Sequence, residues 1–151
     1  MPSYGVHQTL EASVFLPLSG GLFVLFEGLG FAVDLPLWVA YAGSYFFSSF
    51  FLSPDLDMKG SACRSHWGVL SPLWVPYSKL FKHRKISHNP LFGPLTRVVY
   101  LGIWIFVLLL ICSGSFQIVE DLFRQDPRWY VMVGLGLYFP NLIHIVADYV
   151  S

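Results

Sequence analysis

Charge is what this sequence has least of. Of its 151 residues only 12% are Asp, Glu, Lys or Arg, and the nine acidic side chains balance the nine Lys and Arg. Soluble domains carry about 25% charged residues, and a chain that is 55% hydrophobic has too little polar surface to face water on all sides. The neutral balance also excludes nucleic acid as a partner, because no basic footprint is present to cover one face of a domain. Cysteine is scarce as well. Cys63 and Cys112 stand in no metal-type spacing. One lies in a long central loop and the other deep in an apolar run, so a disulfide, which needs Cα atoms within about 7 Å, is not expected. No basic region precedes the first apolar run, no small-residue cleavage site follows it, and Glu11 stands before it, so a cleaved signal peptide is not expected either. Internal repeats and low-complexity tracts are missing.

Apolar length is what the sequence has instead. Four uncharged or nearly uncharged runs carry it: Ala12 to Val33 (interrupted by Glu27), Leu35 to Ser53, Val98 to Val119 and Trp129 to Ala147. Each has about the 20 residues needed to cross a hydrocarbon core of about 30 Å. The expected fold is all-α, a four-transmembrane-helix bundle forming a single integral membrane domain over residues 1–151, with spans at about 12–33, 35–53, 98–119 and 129–147. Between the second and third runs, Trp67, Leu70, Trp74, Tyr77 and Phe81 recur at intervals of three and four, one face of a helix that Pro72 and Pro76 must break or kink. Aromatic rings with flanking lysines suit the headgroup level, and residues 66–82 read as an interfacial amphipathic segment.

With four spans, both termini and the loop from Pro54 to Arg97 share one side. Lys59, Arg64, Lys79, Lys82, Arg84, Lys85 and Arg97 lie there, and only Arg124 and Arg128 lie opposite. By the positive-inside rule that side is the cytoplasm.

The side chains able to do chemistry collect at the same face. His7 precedes the first run, Asp55 and Asp57 follow the second, His83 and His88 precede the third, and His144 and Asp148 end the fourth. His144 and Asp148 are four apart, about 40° on a helix, a two-ligand grip on a metal. Asp55 and Asp57 follow Ser53 and Pro54, and in an extended segment residues two apart point the same way. His83 and His88, five apart, splay on a helix, which puts at least one of them in a loop or at a helix start. His66 has no matching partner. Glu27 lies within a span, where ionisable groups are costly, but only some two turns from the far face, and is left unassigned. Arg84, beside His83, is a candidate catalytic group for binding a phosphoryl oxygen; it reads equally as part of a basic cluster with Lys82 and Lys85.

The string Ser53 to Asp57, the run Trp67-Gly68 to Trp74-Val75-Pro76-Tyr77, the segment His83-Arg84-Lys85-Ile86-Ser87-His88-Asn89-Pro90-Leu91-Phe92-Gly93 and the closing His144 to Asp148 resemble a family of metal-binding membrane proteins of unknown function. That likeness covers nearly the whole chain. The family in turn looks related to metal-dependent hydrolases associated with the inner membrane, and more remotely to zinc-dependent phospholipase C and single-strand-specific zinc nucleases. The resemblance implies metal roles for His7, Asp55, Asp57, His83, His88, His144 and Asp148, and a bacterial-type inner (plasma) membrane as the location. Asn89 departs from it, since relatives often carry serine there.

Imidazole and carboxylate donors without thiolate suit zinc, manganese or iron. Seven candidates exceed the needs of one tetrahedral ion, and two ions bridged by a carboxylate such as Asp57 would use them. The expected function is a membrane-bound metal-dependent hydrolase acting at the cytoplasmic face on a lipid or isoprenoid phosphoester, with a membrane lipid or other amphiphile as partner. The alternatives are a non-catalytic metal-binding or metal-handling membrane protein, and a scaffold whose metal staples helix ends together.

Overall fold

The computed structural model describes residues 4–81 and 89–150. Among them the chain is helical and contains no strand. The longest elements are α1 (Tyr4–Gly28), α2 (Leu35–Phe51), α5 (Phe92–Ser113) and α7 (Pro127–Val150). Between α2 and α5 lie a 3-10 turn at Pro54–Asp57, α3 (Ala62–Ser65), a second 3-10 stretch at Gly68–Leu73 and α4 (Trp74–Leu80); α6 (Gln117–Phe123) precedes α7.

Three helices, α1, α5 and α7, are long and apolar enough to cross a membrane. The second apolar run forms a helix of 17 residues, about 25 Å at 1.5 Å per residue and at the short limit for a span. The expected four-span bundle is therefore met at three positions by length and composition.

Helix boundaries depart from the apolar runs for local reasons. α1 starts eight residues before Ala12, which brings His7 and Glu11 into the helix. It stops before Val33 because Gly30 takes a left-handed conformation (φ 68°). There Gly30 N–H donates to the Glu27 carbonyl (3.1 Å) and Phe31 N–H to the Phe26 carbonyl (2.8 Å), the paired bonds of a Schellman stop. Asp34 then caps α2, its side chain accepting from Leu37 N–H at 3.2 Å. α5 starts six residues before Val98. The Asn89 side chain accepts from Leu91 N–H (3.0 Å) and Phe92 N–H (2.9 Å), a capping role that serine fills equally well. Gly114 (φ 62°) ends α5, so the third run divides into α5 and the start of α6.

α2 and α7 are the most closely packed pair, with α1 against both. Leu22 and Phe26 of α1, Leu37, Tyr41 and Tyr45 of α2, and Met132 of α7 form one core. A second core sits at the end where α2 stops, from Leu52, Leu56, Cys63, Trp74 and Tyr77. Trp74 and Tyr77 are fully buried there, whereas Val69, Leu70 and Leu80 are exposed. Trp74 and Tyr77 of the periodic stripe thus face the core, whereas Leu70 of the same stripe faces outward with Val69 and Leu80. Pro76 falls in the first turn of α4, where a missing N–H costs no helical bond. Cys63 and Cys112 are both free.

α5 joins the bundle through a buried polar tie. Arg97 Nη2 donates to Asn141 Oδ1 at 2.7 Å, Asn141 Nδ2 donates to Ser48 Oγ at 2.8 Å, and Ser48 Oγ donates to the Leu137 carbonyl at 2.7 Å. α2, α5 and α7 are linked by groups that apolar surroundings would otherwise leave costly. Arg97, counted by sequence among the charges facing the cytoplasm, is instead fully buried.

Candidate metal centre

The start of α1, the end of α2 with its following turn, and the end of α7 meet at one end of the bundle. His7 and Glu11 come from the first two turns of α1 and share a face because they are four apart. His144 and Asp148 have the same spacing in the last turns of α7. The turn Pro54–Asp57, opened by Ser53 Oγ accepting from Asp55 N–H at 3.4 Å, delivers Asp55.

The imidazoles of His7 and His144 stack with ring centroids 3.8 Å apart and planes 16° from parallel. His7 Nε2 lies 3.3 Å from one oxygen of Asp148. His144 Nε2 lies 3.6 Å from an Asp55 oxygen and 3.8 Å from the other Asp148 oxygen. One ligand atom each from His7, His144 and Asp148 falls within 4.8 Å of the others, the spacing of groups able to share an ion. His144 is 1% exposed and His7 2%, and neither His144 Nε2 nor His7 Nδ1 has a hydrogen-bond partner. A buried ring nitrogen without a hydrogen bond, held 3.6–3.8 Å from two carboxylates, is a position that a cation could occupy. The donors are imidazole and carboxylate, matching zinc, manganese or iron.

Behind His144 lies a second layer that sequence reasoning missed. Glu11 Oε1 is 3.2 Å from His144 Nδ1, and its other oxygen accepts from the Ser49 hydroxyl. Ser53 Oγ is 3.5 Å from the same Nδ1, and Tyr45 O–H donates to the Glu11 backbone carbonyl at 2.7 Å. Glu11 is 2% exposed. The signal was available: His7 and Glu11 repeat the spacing that singled out His144 and Asp148.

The structure thus brings His7, Asp55, His144 and Asp148 together. Pro54–Asp57 is a 3-10 turn and not the expected extended segment; at three residues per turn, positions two apart are separated by about 120° around the helix. Asp57 is buried and acts electrostatically on Arg97 and Tyr77. Burial pushes the Tyr77 hydroxyl above its usual range, with Arg97 opposing and Asp57 adding. His83, Arg84 and His88 lie outside the described residues. His66, unassigned by sequence, ties the start of α1 to the end of α2, with its Nδ1 3.0 Å from the Phe50 carbonyl and 3.3 Å from the Tyr4 hydroxyl. Glu27 is exposed at the last turn of α1.

Comparison with known proteins adds to this geometry. Residues 2–151 match the family described as Uncharacterized metal-binding protein (DUF2227). An uncharacterized protein of Aquifex aeolicus (strain VF5) is 31% identical over 129 residues, spanning 75% of this chain and 90% of that protein. No solved structure matches.

Proposed function

Because the chain belongs to this family of uncharacterized metal-binding proteins, we propose that it is a membrane-embedded protein that holds a divalent cation among His7, Asp55, His144 and Asp148. The observation that carries the reading is the convergence of His7, His144 and Asp148 within 4.8 Å, with the buried Nε2 of His144 making no hydrogen bond and facing the carboxylates of Asp55 and Asp148. A bound cation would supply positive charge that the converging donors share, linking the start of α1 and the end of α7 to the turn after α2. Zinc, manganese and iron suit the donor set. A second ion would draw on Asp57, His83 and His88.

All four long helices crossing the membrane, with the site on the cytoplasmic side, is part of the proposal. In such a chain the first helix starts, and the second and fourth end, on one face. The meeting of His7, Ser53 and His144 supports that alternation, and six of the nine Lys and Arg fall in the stretch between α2 and α5 on that side. Phosphoester hydrolysis draws no support from the family or from the Aquifex relative, so non-catalytic metal binding or handling is the better reading.

The test is metal content. Protein purified in detergent without chelator, incubated with zinc, manganese or iron and then dialysed, is expected to retain about one ion per chain, or about two if the second set is filled. His144→Ala and Asp148→Ala are expected to abolish retention. A parent protein that retains none of the three metals refutes the proposal.

A further inference from the structure

The buried carboxylate of Glu11 is used by neither the fold's apolar cores nor the ligand set. A carboxylate only accepts hydrogen bonds, so its approach to His144 Nδ1 at 3.2 Å requires that nitrogen to carry the proton. A neutral imidazole protonated at Nδ1 has its lone pair on Nε2, the nitrogen that faces Asp55 and Asp148. The other Glu11 oxygen is held by the Ser49 hydroxyl, and its backbone carbonyl by Tyr45 O–H. Glu11 is therefore fixed from α2 while it fixes a ring on α7.

We propose that Glu11 is the positioning residue of this site: held by Ser49, it locks His144 in the Nδ1–H tautomer and aims Nε2 at the metal. The inference rests on the metal-binding reading above and adds a role to a side chain outside the ligand set. Carboxylate partners of this kind orient a ligating imidazole and raise its basicity. Ser53 Oγ, at 3.5 Å from Nδ1, is a weaker second partner and does not replace a carboxylate.

The experiment compares the full-length parent with Glu11→Gln, Glu11→Ala and Ser49→Ala in one detergent, reading zinc affinity by chelator competition and the His144 tautomer by ring nitrogen chemical shifts in the metal-free protein. Glu11→Ala is expected to weaken zinc binding by about 10- to 100-fold and to lose the Nδ1–H signature. Glu11→Gln, which keeps the volume and an acceptor oxygen, is expected to lose less, and Ser49→Ala least. Ser49→Ala also keeps the comparison open should Glu11→Ala fail to fold.

Parental affinity together with the parental tautomer in both Glu11 variants overturns the proposal. Loss beyond that range in Glu11→Gln with an unchanged tautomer makes Glu11 a ligand itself and overturns it too. A parent that binds no zinc, manganese or iron removes the metal reading, while the tautomer comparison still decides whether Glu11 controls the ring.

Discussion

Gly136 of α7 rests against the backbone of α2 at Tyr41: a Cβ added to Gly136 would stand 2.5 Å from the Tyr41 carbonyl oxygen and 2.9 Å from Tyr45 N, and would also collide with the Ser44 hydroxyl. Small residues at such crossings let helix backbones approach in a bilayer, where packing replaces the hydrophobic drive between helices. Pro140, one turn on, has no N–H to bond the Gly136 carbonyl. This close approach thus sits two turns before His144 on the same helix.

Gly136→Ala is expected to destabilise the protein by about 1–3 kcal/mol, the usual cost of overpacking, because the atoms in its way are largely backbone. Gly134, two residues earlier, has open space around its Cβ position, so Gly134→Ala is expected to be neutral or mildly stabilising. Thermal unfolding of both in one detergent checks the pair. A Gly136→Ala protein as stable as Gly134→Ala contradicts the packing described.

Cys63 gives a pH dependence with a definite sign. Burial pushes its thiol up to about 12, with Arg97 among the opposing influences, whereas an unfolded thiol titrates near about 8.5. The folded state keeps its proton where the unfolded chain has lost it. The stabilisation is therefore complete below the unfolded value and is lost as pH rises toward 12. Thermal midpoints measured from pH 8 to 11 are expected to fall in the parent and to fall less steeply in Cys63→Ala, each relative to its own value at pH 8. Equal slopes contradict the assignment. Maleimide is likewise expected to modify Cys63 slowly until the protein is unfolded.

Much of the site could be read from spacing alone. His144 and Asp148 stand out because a separation of four is one helical face, and they meet as that spacing requires. His7 and Asp55 are expected beside them from the four-span reading, in which starts and ends of successive spans share a membrane face. Glu11 escaped because a lone acid at the margin of an apolar run reads as a boundary marker, and hydropathy sees only the hydrocarbon-facing part of a helix that starts eight residues earlier. The extended segment expected at Asp55 and Asp57 is instead a 3-10 turn opened by Ser53 and Pro54, and at three residues per turn positions two apart no longer share a face. The inward turn of Trp74 and Tyr77 was equally hidden, because a periodic aromatic stripe looks the same whether it meets lipid headgroups or a protein core. Gly30 and Gly114 mark the true helix ends, but a hydropathy run passes over a glycine without registering its left-handed φ.

X-ray absorption at the zinc edge of the loaded protein tests the central claim most directly. Coordination by His7, Asp55, His144 and Asp148 predicts nitrogen and oxygen neighbours at about 2.0–2.2 Å, the outer-shell scattering of two imidazoles, and no sulfur at about 2.3 Å. His144→Ala, if it still takes up zinc at high concentration, is expected to lose one imidazole. A sulfur neighbour, which would bring in Cys63, or a spectrum without imidazole scattering contradicts the account.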